Sequence, residues 1–333
     1  DVIIVGGGLT GMLTARALHQ AGLNVLLIEQ HELGRDSSWA NNGMLAPLYP
    51  WRFPAPVTEL MLEGLRHYPI LCAELLQQTD VDVQWSQSGT LLLDTKEREV
   101  AEKWANRYQQ EYHWLTGSAL HDCEPKLASS FEQGLFFPQF QQLRNPRQLT
   151  ALRASLRLVP LLISEHNPVE HLLVSDGHIQ GVHLNGMDWR AKHVIMTTGA
   201  WTQQFPELQT PTLKLRTVAT QTVIFRGEPN IMQRMLIHDG SYIVPRRDGR
   251  ILFGIASTQP EHAQTPSPER LTEMREQALQ WVPDLAAMKM QHHWCGLFPE
   301  ALDGVPYIGE HPHIGGLWVN VGLGQYGFAA GLG

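Results

Sequence analysis

The sequence predicts a mixed α/β fold of two domains, the first opening on a parallel βαβ unit, and three observations carry that expectation. The first 29 residues run from a β-branched segment through an amphipathic one to a second apolar segment, the pattern of strand, helix and strand. The chain has 333 residues, about two domains' worth at roughly 100–200 residues each. Hydrophobic residues make up 43% and charged residues 17%, which is enough apolar side chain for a sizeable core and too little charge for intrinsic disorder.

Residues 1–5 are β-branched and apolar, as in a strand buried on both faces. They lead into Gly6-Gly7-Gly8-Leu9-Thr10-Gly11 and an amphipathic helix expected over 12–20. Gly22 stops that helix, and a second strand over 24–28 ends in Glu29 and Gln30. Each piece suits dinucleotide binding. Gly6 permits the tight turn, Gly8 lets the backbone approach a pyrophosphate, and Gly11 lets the helix pack on the strand. The N-terminus of the helix offers free N–H groups to the anion, with Leu9 and Thr10 of the turn ahead of it also taken as cofactor-binding. Glu29, roughly 20 residues beyond Gly8, is spaced to accept hydrogen bonds from adenosine ribose hydroxyls. No second such fingerprint occurs, so one dinucleotide is expected, and the fingerprint alone leaves FAD and NAD open.

Further along, 97–110 reads as a helix with a charged face, and Asp176-Gly177 as a hairpin turn inside 167–184. A buried strand from His193 runs into Thr198-Gly199-Ala200-Trp201. Residues 212–225 read as a long strand. Asp248-Gly249 joins strands at 242–244 and 251–254, and a helix over 268–280 has Ser267 as its N-cap. A helix over 148–158 passes straight into a strand over 159–164, which suggests that residues are missing at the join. Both ends also look cut, with no initiator Met and a Gly-rich close at Gly333.

The formal net charge is −8 and the longest basic clusters are pairs such as Arg246-Arg247, which argues against a nucleic-acid partner. Cys72, Cys123 and Cys295 are odd in number and form no CxxC pair. They fit neither a disulfide framework nor a zinc site and point to a reducing, cytoplasmic setting. The 16 histidines are scattered, and no metal is expected. Residues 2–21, the one stretch resembling a membrane span, carry Thr10, Thr14, Arg16 and His19, so no transmembrane span is expected.

Five segments in order make the sequence familiar: the N-terminal fingerprint, Ser37-Ser38-Trp39-Ala40-Asn41-Asn42-Gly43-Met44-Leu45, Thr198-Gly199-Ala200-Trp201, Tyr242-Ile243-Val244-Pro245, and Asp303-Gly304-Val305-Pro306 with the Gly-rich run behind it. Together they resemble the D-amino-acid oxidase/sarcosine oxidase superfamily of FAD enzymes, nearest to its glycine oxidase branch. The resemblance implies a glutathione-reductase-2-like flavoprotein. Its Rossmann-type FAD-binding domain would be discontinuous, built from 1–77, 143–210 and 296–333, and 78–142 with 211–295 would form a mixed-sheet substrate domain over the flavin. It further implies that Ser37, Ser38, Asn41, Asn42, Gly43 and Met44 wrap the pyrophosphate, ribityl chain and flavin edge, and that Val169 meets the adenine edge. Thr198, Gly199 and Trp201 would line the flavin with Gly322, Gly324, Gln325, Tyr326 and Gly327. Asn41 and Asn42 replace small residues, so their side chains either reach the cofactor or pocket or merely form a turn. Trp294-Cys295-Gly296-Leu297 matches the branch that holds FAD non-covalently.

The implied activity takes a hydride from a C–H beside the nitrogen of a small-molecule amine and passes it to flavin, which oxygen or another acceptor reoxidises. Tyr242 matches the tyrosine that contacts the substrate carboxylate, though a strand tyrosine is also a common core anchor. Two departures stand out. Phe298 occupies the place of the carboxylate-clamping arginine, and Gly327 that of a second arginine. Arg52 is the first candidate substitute, Arg246 the second, and His238 a third polar candidate. The alternatives are a dehydrogenase of a hydroxy acid or alcohol, with His238 as base, and a catalytically silent flavoprotein. The sequence is compatible with a homo-oligomer.

Overall fold

The computed structural model describes residues 1–46, 48–209, 212–257 and 266–333. Val2–Val5 is buried throughout and pairs in parallel with Val25–Ile28 on one side and His193–Met196 on the other. Covered on both faces, such a strand has no polar side to show, hence the unbroken apolar run. Leu162–Ser164 adds to Val25–Ile28 in parallel, Leu317–Val321 to His193–Met196, and antiparallel Tyr307–Glu310 closes the far edge. The helix Leu9–Gln20 crosses from the first strand to the second and ends ahead of Gly22, whose φ of +86° few other residues would adopt. With Ala55–Thr79 and Asn145–Arg157 it buries Met12, Tyr68, Leu75 and Leu152 over one face of the sheet.

The opposite face is covered by the three-stranded meander His171–Ser175, His178–Leu184 and Met187–Arg190. Its turns, Asp176-Gly177 and Asn185-Gly186, have positive φ at both residues, the twist that joins antiparallel strands in two residues. Asn185-Gly186 carried the same signal in the sequence as the first turn.

The second sheet has eight strands in the order Lys289–Ala301, Leu215–Arg226, Arg250–Ser257, Ser241–Pro245, Met235–His238, Thr90–Leu92, Gln133–Phe137 and His113–Thr116. Alternation along it is clear. Ile237, Tyr242, Val244 and Leu252 face a core shared with Met44, Ala46 and Leu48. Leu236, Ile243, Ile251 and Phe253 face the other way, under the helix Pro268–Trp281. Ser267 caps that helix, its Oγ accepting from Arg270 N at 3.2 Å.

Two limits expected from the sequence are crossed or shifted in the structure. Lys289–Ala301 runs through the expected domain division at 296, because it pairs with Leu215–Arg226 along its whole length. The division at 210/211 lies outside the described residues. Residues 158–161 turn between helix and sheet edge, so the strand there is only Leu162–Ser164. Among the described residues no helix is long and apolar enough to cross a membrane.

Candidate active site

The parallel strands end at a glycine turn that tolerates no side chain. Gly6 has φ +108°, and a Cβ there would lie 2.5 Å from Thr197 O. At Gly11 a Cβ would meet Gly6 O at 1.8 Å, so its hydrogen is what lets helix and strand close together. Thr197 Oγ1 ties the neighbouring strand end to this turn, donating to Val5 O at 3.0 Å and Gly6 O at 2.8 Å. Leu9 N donates to Ser38 Oγ at 2.9 Å. Glu29 Oε2 accepts from Gly7 N at 2.7 Å and Oε1 from His31 N at 2.8 Å. The first-turn amides of the helix have no intrahelical acceptor and open toward the same place.

These groups border an elongated cleft of about 1140 Å³. At one end it is walled by Gly6, Gly8, Leu9, Thr10, Glu29 and Gln30, with Val169 beside them. Ser37, Ser38, Asn41, Thr198, Gly199 and Trp201 line its middle. Phe298, Gly322, Gly324 and Gly327 line it further on. Asn320, whose Oδ1 is buried without a partner among the described residues, borders the cleft too. A glycine cradle, free helix amides and an orphaned polar oxygen along one cleft suit a dinucleotide that ends in a polar ring edge.

A small pocket adjoins the cleft, lined by Asn42, Met44, Thr220, Tyr242 and Gln325, with Asn41 and Phe298 shared between the two. Asn41 Oδ1 accepts from Gly43 N and Asn42 Oδ1 from Met44 N, both at 2.9 Å. Each asparagine therefore closes a turn with its oxygen, leaving its NH₂ group for other partners. Tyr242 is buried, with its hydroxyl 3.2 Å from Thr222 Oγ1. Burial pushes that hydroxyl above its usual pKa, against the pull of hydrogen bonds with Asn42 and Thr222, and so it stays protonated at neutral pH. Gly254 makes room for the ring, since a Cβ there would lie 2.0 Å from Tyr242 Cζ.

Several expected residues sit elsewhere. Arg52 is half-exposed, stacks over the Tyr49 ring at 3.8 Å and pairs with Glu97 Oε1 at 2.7 Å, so its charge is already satisfied outside the pocket. His238 belongs to the other face of the eight-stranded sheet. Its Nδ1 lies 2.8 Å from Asp94 Oδ1 and its ring meets Phe131 and Trp281 edge-on, because strand alternation turns it away from Tyr242. Tyr326 points into a small core with Val57 and Met61 and donates to Gly304 O at 2.8 Å. Gly11 and Gly43 stand behind the cleft walls as close-packing positions. Cys295, half-buried on Lys289–Ala301, lines neither cavity, and burial raises its thiol. Sequence reasoning missed Thr197, Asn320 and Thr220. The polar Asn320 in the otherwise apolar run Leu317-Trp318-Val319-Asn320-Val321, just before Gly322, was the signal available for one of them.

A profile of the DAO family, described as FAD dependent oxidoreductase, matches residues 1–333. The chain belongs to this family. It is an FAD-dependent oxidoreductase, and the glycine cradle of the cleft suits that cofactor. Glycine oxidases from Pseudomonas aeruginosa and Pseudomonas putida are 34% and 33% identical to it, over 96% and 97% of this chain and 88% of each relative. The crystal structure of glycine oxidase from Geobacillus kaustophilus shares the fold, with a TM-score of 0.91 at 24% identity, covering 100% of this chain and 91% of that one. In this DAO-family chain Gly6, Gly8 and the helix beginning at Leu9 would hold the pyrophosphate. Glu29 would hold the ribose, and the turn at Gly322 and Gly324 the flavin's pyrimidine edge.

Proposed function

We propose that this flavoenzyme oxidises an amine at the C–H beside its nitrogen, and that the part of the substrate facing Phe298 and Tyr242 is uncharged. The observation that carries this reading is the adjoining pocket, which opens on the flavin cleft and has no cationic side chain among its described lining residues. Bound FAD supplies the hydride acceptor. Around it the protein positions and desolvates. Phe298 offers an apolar ring, Tyr242 keeps its proton and can donate or accept one neutral hydrogen bond, and the NH₂ groups of Asn41 and Asn42 add amide donors. A carboxylate brought here would be stripped of water with no paired charge, which costs several kcal/mol. The names of the relatives support the amine side of the reading, since glycine oxidases act on a C–N donor. His238, the base candidate for hydroxy-acid oxidation, lies on the other face of the sheet beside Asp94, which supports the amine reading over that alternative. The three free thiols suit a reducing cytoplasm, and reoxidation is assigned to oxygen or another acceptor.

The test is a substrate panel of glycine, sarcosine, D-alanine, benzylamine and simple alkylamines, read by peroxide release in air and by anaerobic loss of flavin colour. Loss of a charge-assisted clamp costs more than about 1.5–3 kcal/mol. Amines without a carboxylate should therefore lead the amino acids by more than about tenfold in kcat/KM. Bleaching without peroxide would assign a non-oxygen acceptor. Efficient glycine turnover would overturn the uncharged pocket, and no bleaching by any amine would overturn the amine reading.

A further inference from the structure

Arg246, the second candidate substitute for the clamp, is a buried cation that lines neither the cleft nor the pocket. It follows Pro245 at the end of the Tyr242 strand and turns its guanidinium inward, toward the loop that carries Asn41 and Asn42. Nη1 donates to Leu143 O at 2.6 Å and to Gln142 Oε1 at 3.1 Å, and Nη2 donates to Asn42 O. All three acceptors are neutral. Among the described residues no carboxylate is within ion-pair distance. The nearest anion, Asp248, is taken by Arg144 at 2.9 Å and by Arg250.

Burial pulls the Arg246 pKa down to about 9, with Arg144 adding repulsion and Asp248 opposing it. The cost of holding this charge is therefore not met by a counter-ion in the protein. The charge also stands immediately behind the site. Its hydrogen bond grips the Asn42 carbonyl in the loop that walls both cleft and pocket, and its Nη2 would lie 3.1 Å from a Cβ on Gly43. Proximity to Arg246 also favours the ionised form of Tyr242 on the pocket wall.

We propose that Arg246 is a positioning and electrostatic residue, fixing the Asn41-Asn42-Gly43 turn and giving the cleft a positive field that favours negative charge on the flavin. No described residue offers Arg246 an anion within ion-pair distance, whereas a flavin gains negative charge when it is reduced or when it takes up an anionic nucleophile. The charge reaches the cleft through one layer of backbone, so it acts on the flavin without touching the substrate.

The experiment uses the FAD-loaded protein with sulfite as probe. Sulfite adds to oxidised flavin with loss of its visible absorbance and leaves negative charge on the ring. The second readout is the flavin midpoint potential, from dye-linked reductive titration. Arg246→Met should weaken sulfite binding by about tenfold, the size expected of one charge a layer away at an effective dielectric near 20, and should lower the potential. Arg246→Lys should restore much of both. Asp248→Asn, which removes the neighbouring anion from a partly exposed site, should shift both readouts the other way and serves if Arg246→Met does not fold. The proposal is overturned if Arg246→Met or Asp248→Asn leaves sulfite affinity and potential unchanged, even where thermal stability or FAD retention falls.

Discussion

Glu29 shows how much one residue can carry and how much of that was legible. Its spacing from Gly8 marked a ribose-binding acid. The structure adds that the same carboxylate is pinned by the N–H groups of Gly7 and His31 at 2.7 and 2.8 Å, which fixes its orientation before any ligand arrives. Glu29→Ala should weaken FAD binding by about 1.5–3 kcal/mol, the worth of a hydrogen bond to a charged group, as read by fluorescence titration of the apoprotein with FAD. Unchanged affinity would remove Glu29 from the ribose. At Phe298 and Tyr242 the sequence supplied the identities and the structure the juxtaposition around one pocket. Arg52 and His238 were misjudged for a physical reason. A lone charge near a motif says nothing about where its partner is, and Glu97 and Asp94, more than forty residues from Arg52 and over a hundred from His238, already engage them.

Among the elements, those with strong local periodicity were readable: the βαβ unit, the Asp176-Gly177 and Asp248-Gly249 hairpins, and the capped helix Pro268–Trp281. Thr90–Leu92, His113–Thr116 and Gln133–Phe137 were not, because short strands depend on neighbours distant in sequence. Asp94, just past one of them, joins the stretch after the flavin loop to the hairpin Met235–Pro245. Its carboxylate accepts from Tyr49 OH and from Asp239 N at 3.1 Å and lies 2.8 Å from His238 Nδ1, and Gly240 N donates to Tyr49 OH at 3.0 Å. Burial alone would raise its pKa, but the bonds from His238, Tyr49 and Asp239 outweigh burial and hold it below the usual carboxylate range. A depressed carboxylate stabilises the fold fully above its unfolded pKa of roughly 4 and loses that contribution as pH falls through the folded value. Asp94→Asn should therefore melt at a lower temperature than the unaltered protein near neutral pH. The gap should close as pH drops below about 4, in melts followed by circular dichroism. A gap that stays constant into acid would mean that the charge of Asp94 is not what ties loop to sheet.

For the whole molecule, one strand of the eight-stranded sheet runs across the domain division expected at 296. Lys289–Ala301 begins in the eight-stranded sheet and ends beside the glycine turn at Gly322, Ala301 N donating to Gly322 O at 3.2 Å. Phe298 on this strand lines both the cleft and the pocket, and Tyr242 lines the pocket too, so one aromatic ring borders both cavities. The most direct measurement is the anaerobic rate of flavin reduction by glycine and by benzylamine, in the unaltered protein and in Phe298→Arg. An arginine placed there would offer a carboxylate a bidentate partner. The expected result is that the substitution speeds reduction by glycine more than about tenfold and slows reduction by benzylamine. Glycine reducing the unaltered protein faster than benzylamine, with no gain from the arginine, would contradict the account.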